Sequence, residues 1–78
     1  MVKTMREFQY EITKHIGTVS TSDDGRLALE VNEISYNGAP AKVDIRTWNK
    51  ENDKMYKGIT LTHDDASALG RMLLGVNG

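Results

Sequence analysis

The chain has no cysteine, one proline and one tryptophan. Without cysteine there is no disulfide framework, no Cys-based zinc site and no cysteine nucleophile. One proline leaves no Pro-rich linker, and neither a repeat nor a low-complexity tract is present. No apolar run approaches the ~18–20 residues that a membrane span needs, and no apolar segment follows the N-terminal basic residues as a secretory leader would. The expectation is a soluble, intracellular chain. Neither sign of charge dominates: 10 basic against 11 acidic residues give a net charge of −1. That balance excludes a uniformly basic nucleic-acid binder. Histidine is scarce, with only His15 and His63, so no metal or other cofactor is expected.

Enzyme chemistry has little support. Neither GxxxxGK[ST] nor GxGxxG occurs, so no nucleotide cradle is visible. No Ser/His/Asp arrangement is recognisably spaced. His63 with Asp64 and Asp65 is an acid/base cluster in composition, but at the start of a helix its carboxylates are better explained by capping and by the helix dipole. The reading is of a protein that is not an enzyme.

What is present is alternation. Phe8, Tyr10 and Ile12 share one phase and Gln9, Glu11 and Thr13 the other, which predicts a half-buried strand. Thr18, Val19 and Thr21 carry it past Gly17, a candidate bulge or bend. His15 falls with Glu11 and Thr13, as a surface or interface residue. Asp23-Asp24-Gly25 predicts a turn. A second strand follows, with Leu27, Leu29 and Val31 in one phase and Ile34 and Tyr36 in the other. The flip near Asn32-Glu33 predicts a bulge there. Asn37-Gly38 is the next turn signal. A third strand runs from Ala41 to about Trp48, a polar loop covers 49–53, and a fourth strand spans about Met55 to Leu61. A helix ends the chain. Thr62 with Asp65 makes the N-terminal [ST]-x-x-[DE] box, and Ala66, Leu69, Met72, Leu73 and Val76 form the apolar stripe. Residues 1–7 read as a flexible lead-in and 8–78 as one domain.

The fold class is therefore α+β: a four-stranded antiparallel sheet closed by one C-terminal helix. One helix covers one sheet face, and the other stays open or pairs with a second copy. A domain of ~60 residues buries only about 60% of its unfolded surface. With no disulfide and no metal, a homodimer is the expected route to a larger core.

The third strand carries the functional signal. Val43 and Ile45 point one way; Lys42, Asp44, Arg46 and Trp48 point the other. A lone Trp on the polar side of a strand has two readings. It packs at a subunit interface or under the 49–53 loop, or it is a platform on which bases stack, worth ~1–3 kcal/mol per base. Residues 36–60 hold Lys42, Arg46, Lys50, Lys54 and Lys57 against Asp44, Glu51 and Asp53, whereas 21–35 hold Arg26 against Asp23, Asp24, Glu30 and Glu33. The near-zero total thus hides a mildly basic half, interleaved with Tyr36, Trp48 and Tyr56. Its value for a nucleic-acid groove depends on the acidic segment facing away.

At residues 41–61 the sequence AKVDIRTWNKENDKMYKGITL resembles the core of the transcriptional coactivator positive cofactor four family, and within it the small bacterial YdbC-like branch. The marks are Asp44-Ile45-Arg46 followed by an aromatic, a short polar loop, then Lys57-Gly58-Ile59-Thr60-Leu61 leading into a helix. The stretches 10–17 and 35–38 are similar too, so the resemblance covers about residues 8–74. It implies a curved sheet, a homodimer formed through the helix and sheet, and binding of single-stranded DNA without strong sequence preference. By position, Arg46 and Lys57 match phosphate-contacting residues, Lys14 a basic residue of the first strand, and Tyr36 an aromatic at the turn between the second and third strands. Trp48 is the stacking candidate, one residue nearer the Arg than in the eukaryotic members. Lys54 lies in a loop shortened relative to theirs, and Lys42 joins the set on strand phase alone. The basic Ser/Lys-rich regulatory tail of those members is absent. RNA stands beside DNA as an alternative ligand, because no reader of the 2′-hydroxyl is apparent. The expected location is cytoplasmic and nucleoid-associated. The rival reading is a protein-interaction module that docks a partner on the open face around Trp48 and binds no nucleic acid.

Overall fold

The computed structural model describes residues 9–77; the lead-in expected over 1–7, and Phe8, lie outside them. Four strands, β1 (Tyr10–Thr21), β2 (Leu27–Tyr36), β3 (Lys42–Asn49) and β4 (Lys54–Leu61), precede one helix, α1 (His63–Asn77). The sheet is an antiparallel meander in the order β1-β2-β3-β4. Local chemistry explains its corners. At 22–27, Ser22 Oγ and the Arg26 amide both donate to Asp24 Oδ1, while Gly25 takes φ +77°. Asn37 and Gly38 both adopt positive φ, and the Ala39 amide donates to the Tyr36 carbonyl at 3.0 Å, which is the turn an Asn-Gly hairpin prefers. Asn37 also reaches back: its Oδ1 accepts from the Gln9 amide and its own amide donates to the Gln9 carbonyl. This pins the start of β1 beside the end of β2.

The expected bulge near Asn32-Glu33 is absent from β2, whose register with β3 runs uninterrupted from Leu27↔Asn49 to Ile34↔Lys42. The irregularities lie in β1 instead, where Thr13, Ile16 and Val19 each fall between successive partners on β2. Three extra residues on one strand bend and twist it. β2 is apolar in both phases because both of its faces are covered in part, with Ala28, Glu30, Asn32 and Ile34 the buried set.

The curl is large. Tyr10 pairs with Tyr36 and Trp48 pairs with Ala28, at opposite ends of β2. Along a flat strand those ends stand about 26 Å apart at ~3.3 Å per residue, yet the Tyr10 and Trp48 ring centroids are 5.7 Å apart. The face bearing Ala28, Asn32, Ile34, Asp44 and Trp48 is therefore concave and buries itself by folding over.

Thr62 caps the helix as expected, its Oγ1 accepting from the Asp65 amide at 3.1 Å. Coverage of the sheet by that helix is not what forms. α1 lies against β3 and β4, and reaches β2 through the pair between His63 and Glu33. Ala66 and Leu69 are half-buried, but Met72, Leu73, Leu74 and Val76 are exposed, the last two at 76%. Among the described residues no helix is long and apolar enough to cross a membrane.

Candidate nucleic-acid interface

Asp44 is the centre of the site. It is fully buried, at 0% exposure, on the concave face opposite Asn32 and Thr60. Residues two apart on a strand share a face, so Arg46 lies beside it. Arg46 Nε donates to Asp44 Oδ1 at 2.7 Å and Nη2 to Oδ2 at 2.8 Å. The Tyr36 hydroxyl and Thr60 Oγ1 also donate to Oδ2, at 2.6 and 2.9 Å. Burial pushes the Asp44 carboxyl up; donation from Arg46, Tyr36 and Thr60 outweighs it and holds the group below the ordinary carboxylate range. Donation to the Asp44 carboxylate in turn drives the Arg46 pKa up. Burial, with the bond to Asp44 next, raises Tyr36.

Arg46 Nη1 donates to the Tyr56 carbonyl at 2.9 Å, which carries the guanidinium to the β4 edge. Gly58 makes room for it. A Cβ on Gly58 would meet Arg46 Cβ and would lie 2.5 Å from the Ile45 carbonyl oxygen and 2.7 Å from Arg46 Cα. The glycine of the Lys-Gly-Ile segment is thus a close-approach glycine, required because β4 crosses directly against Arg46.

A second polar line crosses the concave face from β1 to the β3–β4 loop. His15 Nδ1 donates to Asn32 Oδ1 at 2.6 Å, Asn32 Nδ2 to Glu30 Oε1 at 3.3 Å, and Lys50 Nζ to Glu30 Oε2 at 3.0 Å. Burial raises Glu30, and the bonds from Lys50 and Asn32 bring it below its ordinary value. The acidic 21–35 segment is accordingly split. Glu30 does line the concave face, buried and neutralised by Lys50. Glu33 takes the opposite face, 3.7 Å from His63. Asp24 and Arg26 pair at the β1–β2 turn.

Tyr36, Lys42, Arg46 and Trp48 come together on the concave side, as strand phase required. Trp48 does not serve there as an open platform. Its exposure is 2%, and Tyr10 packs on it with a 55° tilt between rings. The curl of β1 covers the indole, so no ring face is offered to a base. Its Nε1–H is buried without a hydrogen-bond partner among the described residues. The same burial removes the exposed Trp anchor on which a protein-docking face would depend.

Lys14, Lys54 and Lys57 are not brought to that face. Lys14 pairs with Glu33, because the extra Thr13 turns it out of the Tyr10-Ile12 phase. Lys54 pairs with Asn49. Between Arg46↔Gly58 and Trp48↔Met55, two β4 residues, Tyr56 and Lys57, oppose the single Thr47, and such a bulge turns both toward the outer side. Asn49 Nδ2 accordingly donates to the Tyr56 hydroxyl at 3.4 Å. Lys14, Lys42, Lys54 and Lys57 make no ion pair among the described residues.

Sequence reasoning missed Asp44, for which the Asp-x-Arg spacing on one strand was the available signal, and Gly58. It also missed Lys50 and Tyr10 as concave-face residues. Tyr56, 42% exposed on the β4 edge, is the aromatic best placed for an outside ligand.

Comparison with known proteins gives the family. Residues 27–71, from β2 into α1, match the family model described as transcriptional coactivator p15 (PC4). An uncharacterised protein of Treponema pallidum (strain Nichols) is 48% identical over 67 residues, spanning 86% of this chain and 78% of that protein. The matched segment contains the Asp44 centre, the Arg46 guanidinium and the Gly58 crossing, and the chain belongs to the PC4 family.

Proposed function

We propose that this protein binds single-stranded DNA with tolerance of sequence, takes RNA as a further ligand, and acts as a homodimer of the family's bacterial YdbC-like branch. The observation that carries the binding reading is the β4 edge. There Lys54 and Lys57, which make no ion pair among the described residues, lie beside exposed Tyr56, and the Arg46 guanidinium is bonded to the Tyr56 carbonyl itself. A strand laid along β4 has cations for its phosphates and a phenol ring for a base, the combination that sequence-tolerant binding requires. Lys42 extends the cationic surface on the concave side. Lys14, three strand spacings or about 14 Å away at the β1 edge, serves a separate stretch of the ligand. Tyr36 acts through Asp44. Such a ligand places the protein in the cytoplasm, at the nucleoid.

The dimer is supported by what one copy leaves open. The radius of gyration is 14.5 Å, against about 11.5 Å for a compact domain of this length. Met72, Leu73, Leu74 and Val76 stand in solvent on a helix that covers little of its own sheet, and apolar exposure of that kind marks an interaction surface.

The test is a titration with oligo-dT, a mixed-sequence DNA and oligo-rU at two salt concentrations, with the mass in solution measured alongside. Salt-sensitive binding of all three by a dimer is expected. Absence of binding at low salt sinks the reading, and a monomeric mass sinks the dimer.

A further inference from the structure

Arg46 has five N–H groups. Nε and one on Nη2 are spent on Asp44, and one on Nη1 is spent on Tyr56. Two remain, one on each terminal nitrogen, on a side chain that is 15% exposed. The guanidinium is therefore held through three of its five N–H groups, and the side chain keeps a small exposed share. Its register partner Glu30 does not compete for it, because that carboxylate is taken by Lys50 at 3.0 Å. Asp44 cannot swing away either, since Tyr36 and Thr60 donate to its Oδ2 from β2 and β4.

We infer that Asp44 is a positioning residue for nucleic-acid binding: it clamps Arg46 so that the two free N–H groups form a rigid, outward donor pair for one backbone phosphate at the β4 edge. The inference rests on the binding function proposed above. A free arginine samples many rotamers and loses that freedom on contact, whereas a clamped one has lost it already. One N–H donor on each terminal nitrogen is also the donor set of the bidentate geometry that phosphate favours.

The inference makes a prediction opposite in sign to bulk electrostatics. Asp44→Asn removes a negative charge from the interface, so charge alone predicts tighter binding. Loss of the clamp predicts binding about tenfold weaker, the range of one charged hydrogen bond, with the salt dependence reduced by about 0.7 per protomer, the value for one phosphate contact on a single strand. In an Arg46→Gln background Asp44→Asn should cost nothing more, because Asp44 acts only through Arg46. Tighter or unchanged binding by Asp44→Asn, or losses that add in the double variant, overturn the inference while the wild-type titration still stands. Failure of the wild type to bind any oligonucleotide removes the functional reading itself. A measurement on the wild type covers the case in which Asp44→Asn does not fold. The Arg46 Nε–Hε NMR signal should be slow to exchange in the free protein and retained with oligo-dT bound. A fast-exchanging, averaged signal in the free protein overturns the clamp.

Discussion

Replacing Gly58 by alanine tests the architecture of the site most severely. The added Cβ would meet Arg46 Cβ and approach the Ile45 carbonyl oxygen to 2.5 Å and Arg46 Cα to 2.7 Å. None of these atoms is the end of a flexible side chain, so β4 must move away from β3. Reaching ordinary van der Waals contact takes about 1 Å of separation. Overpacking costs ~1–3 kcal/mol where side chains can yield. Here the main chain must yield, and the Arg46 bond to the Tyr56 carbonyl is stretched as well, adding about 1 kcal/mol. The expected loss is roughly 3–4 kcal/mol, or about 12–30 °C in Tm for a domain this small. Thermal and urea melts followed by far-ultraviolet circular dichroism and Trp48 emission give the number. Gly70→Ala is the internal control: its Cβ meets nothing within 4 Å on an exposed helix, and it should stabilise by up to about 1 kcal/mol. A Gly58→Ala protein within about 0.5 kcal/mol of wild type, the range of a neutral surface change, would refute the close crossing and with it the reason for the glycine.

Three further outcomes follow from the same geometry. The carboxyls of Asp44 and Glu30 are held below their ordinary values, so the stability they contribute is complete above the unfolded pKa of ~4 and is lost as pH falls through the lower folded values; Tyr36 is raised, so its share is present below ~10 and is lost as pH rises beyond it. Urea midpoints across pH 2–11 should show both flanks, and a flat acid limb would contradict the Asp44 network. Thr62→Ala removes the oxygen that accepts from the Asp65 amide and should cost about 1 kcal/mol, read as a lower melting temperature. Lys57→Ala should weaken oligo-dT binding equally across sequences and lower its salt slope by about 0.7; a sequence-dependent loss would mean that Lys57 reads bases.

The elements themselves were local. Alternation, the Asp-Asp-Gly and Asn-Gly corners and the Thr62 cap depend on neighbours within a few residues, and each element lies within two residues of where those signals put it. Strand phase also grouped Lys42, Asp44, Arg46 and Trp48 correctly, since side chains alternate whatever surrounds them. Phase does not say which face is covered. That was decided by three extra residues in β1, which curl the sheet until Tyr10 lies on Trp48, turning a Trp that reads as an open platform into core. Asp44 is buried on that same face, and an extra residue at Thr13 sends Lys14 to the outer face. Nothing in the Ile12-Thr13-Lys14 stretch announces that bulge, because it is set by pairing with β2, some twenty residues away along the chain. Membership of strands and helix was thus written in short-range pattern. Exposure, and with it the choice of which charged and aromatic groups can meet a ligand, arose only when distant strands were paired and the sheet bent.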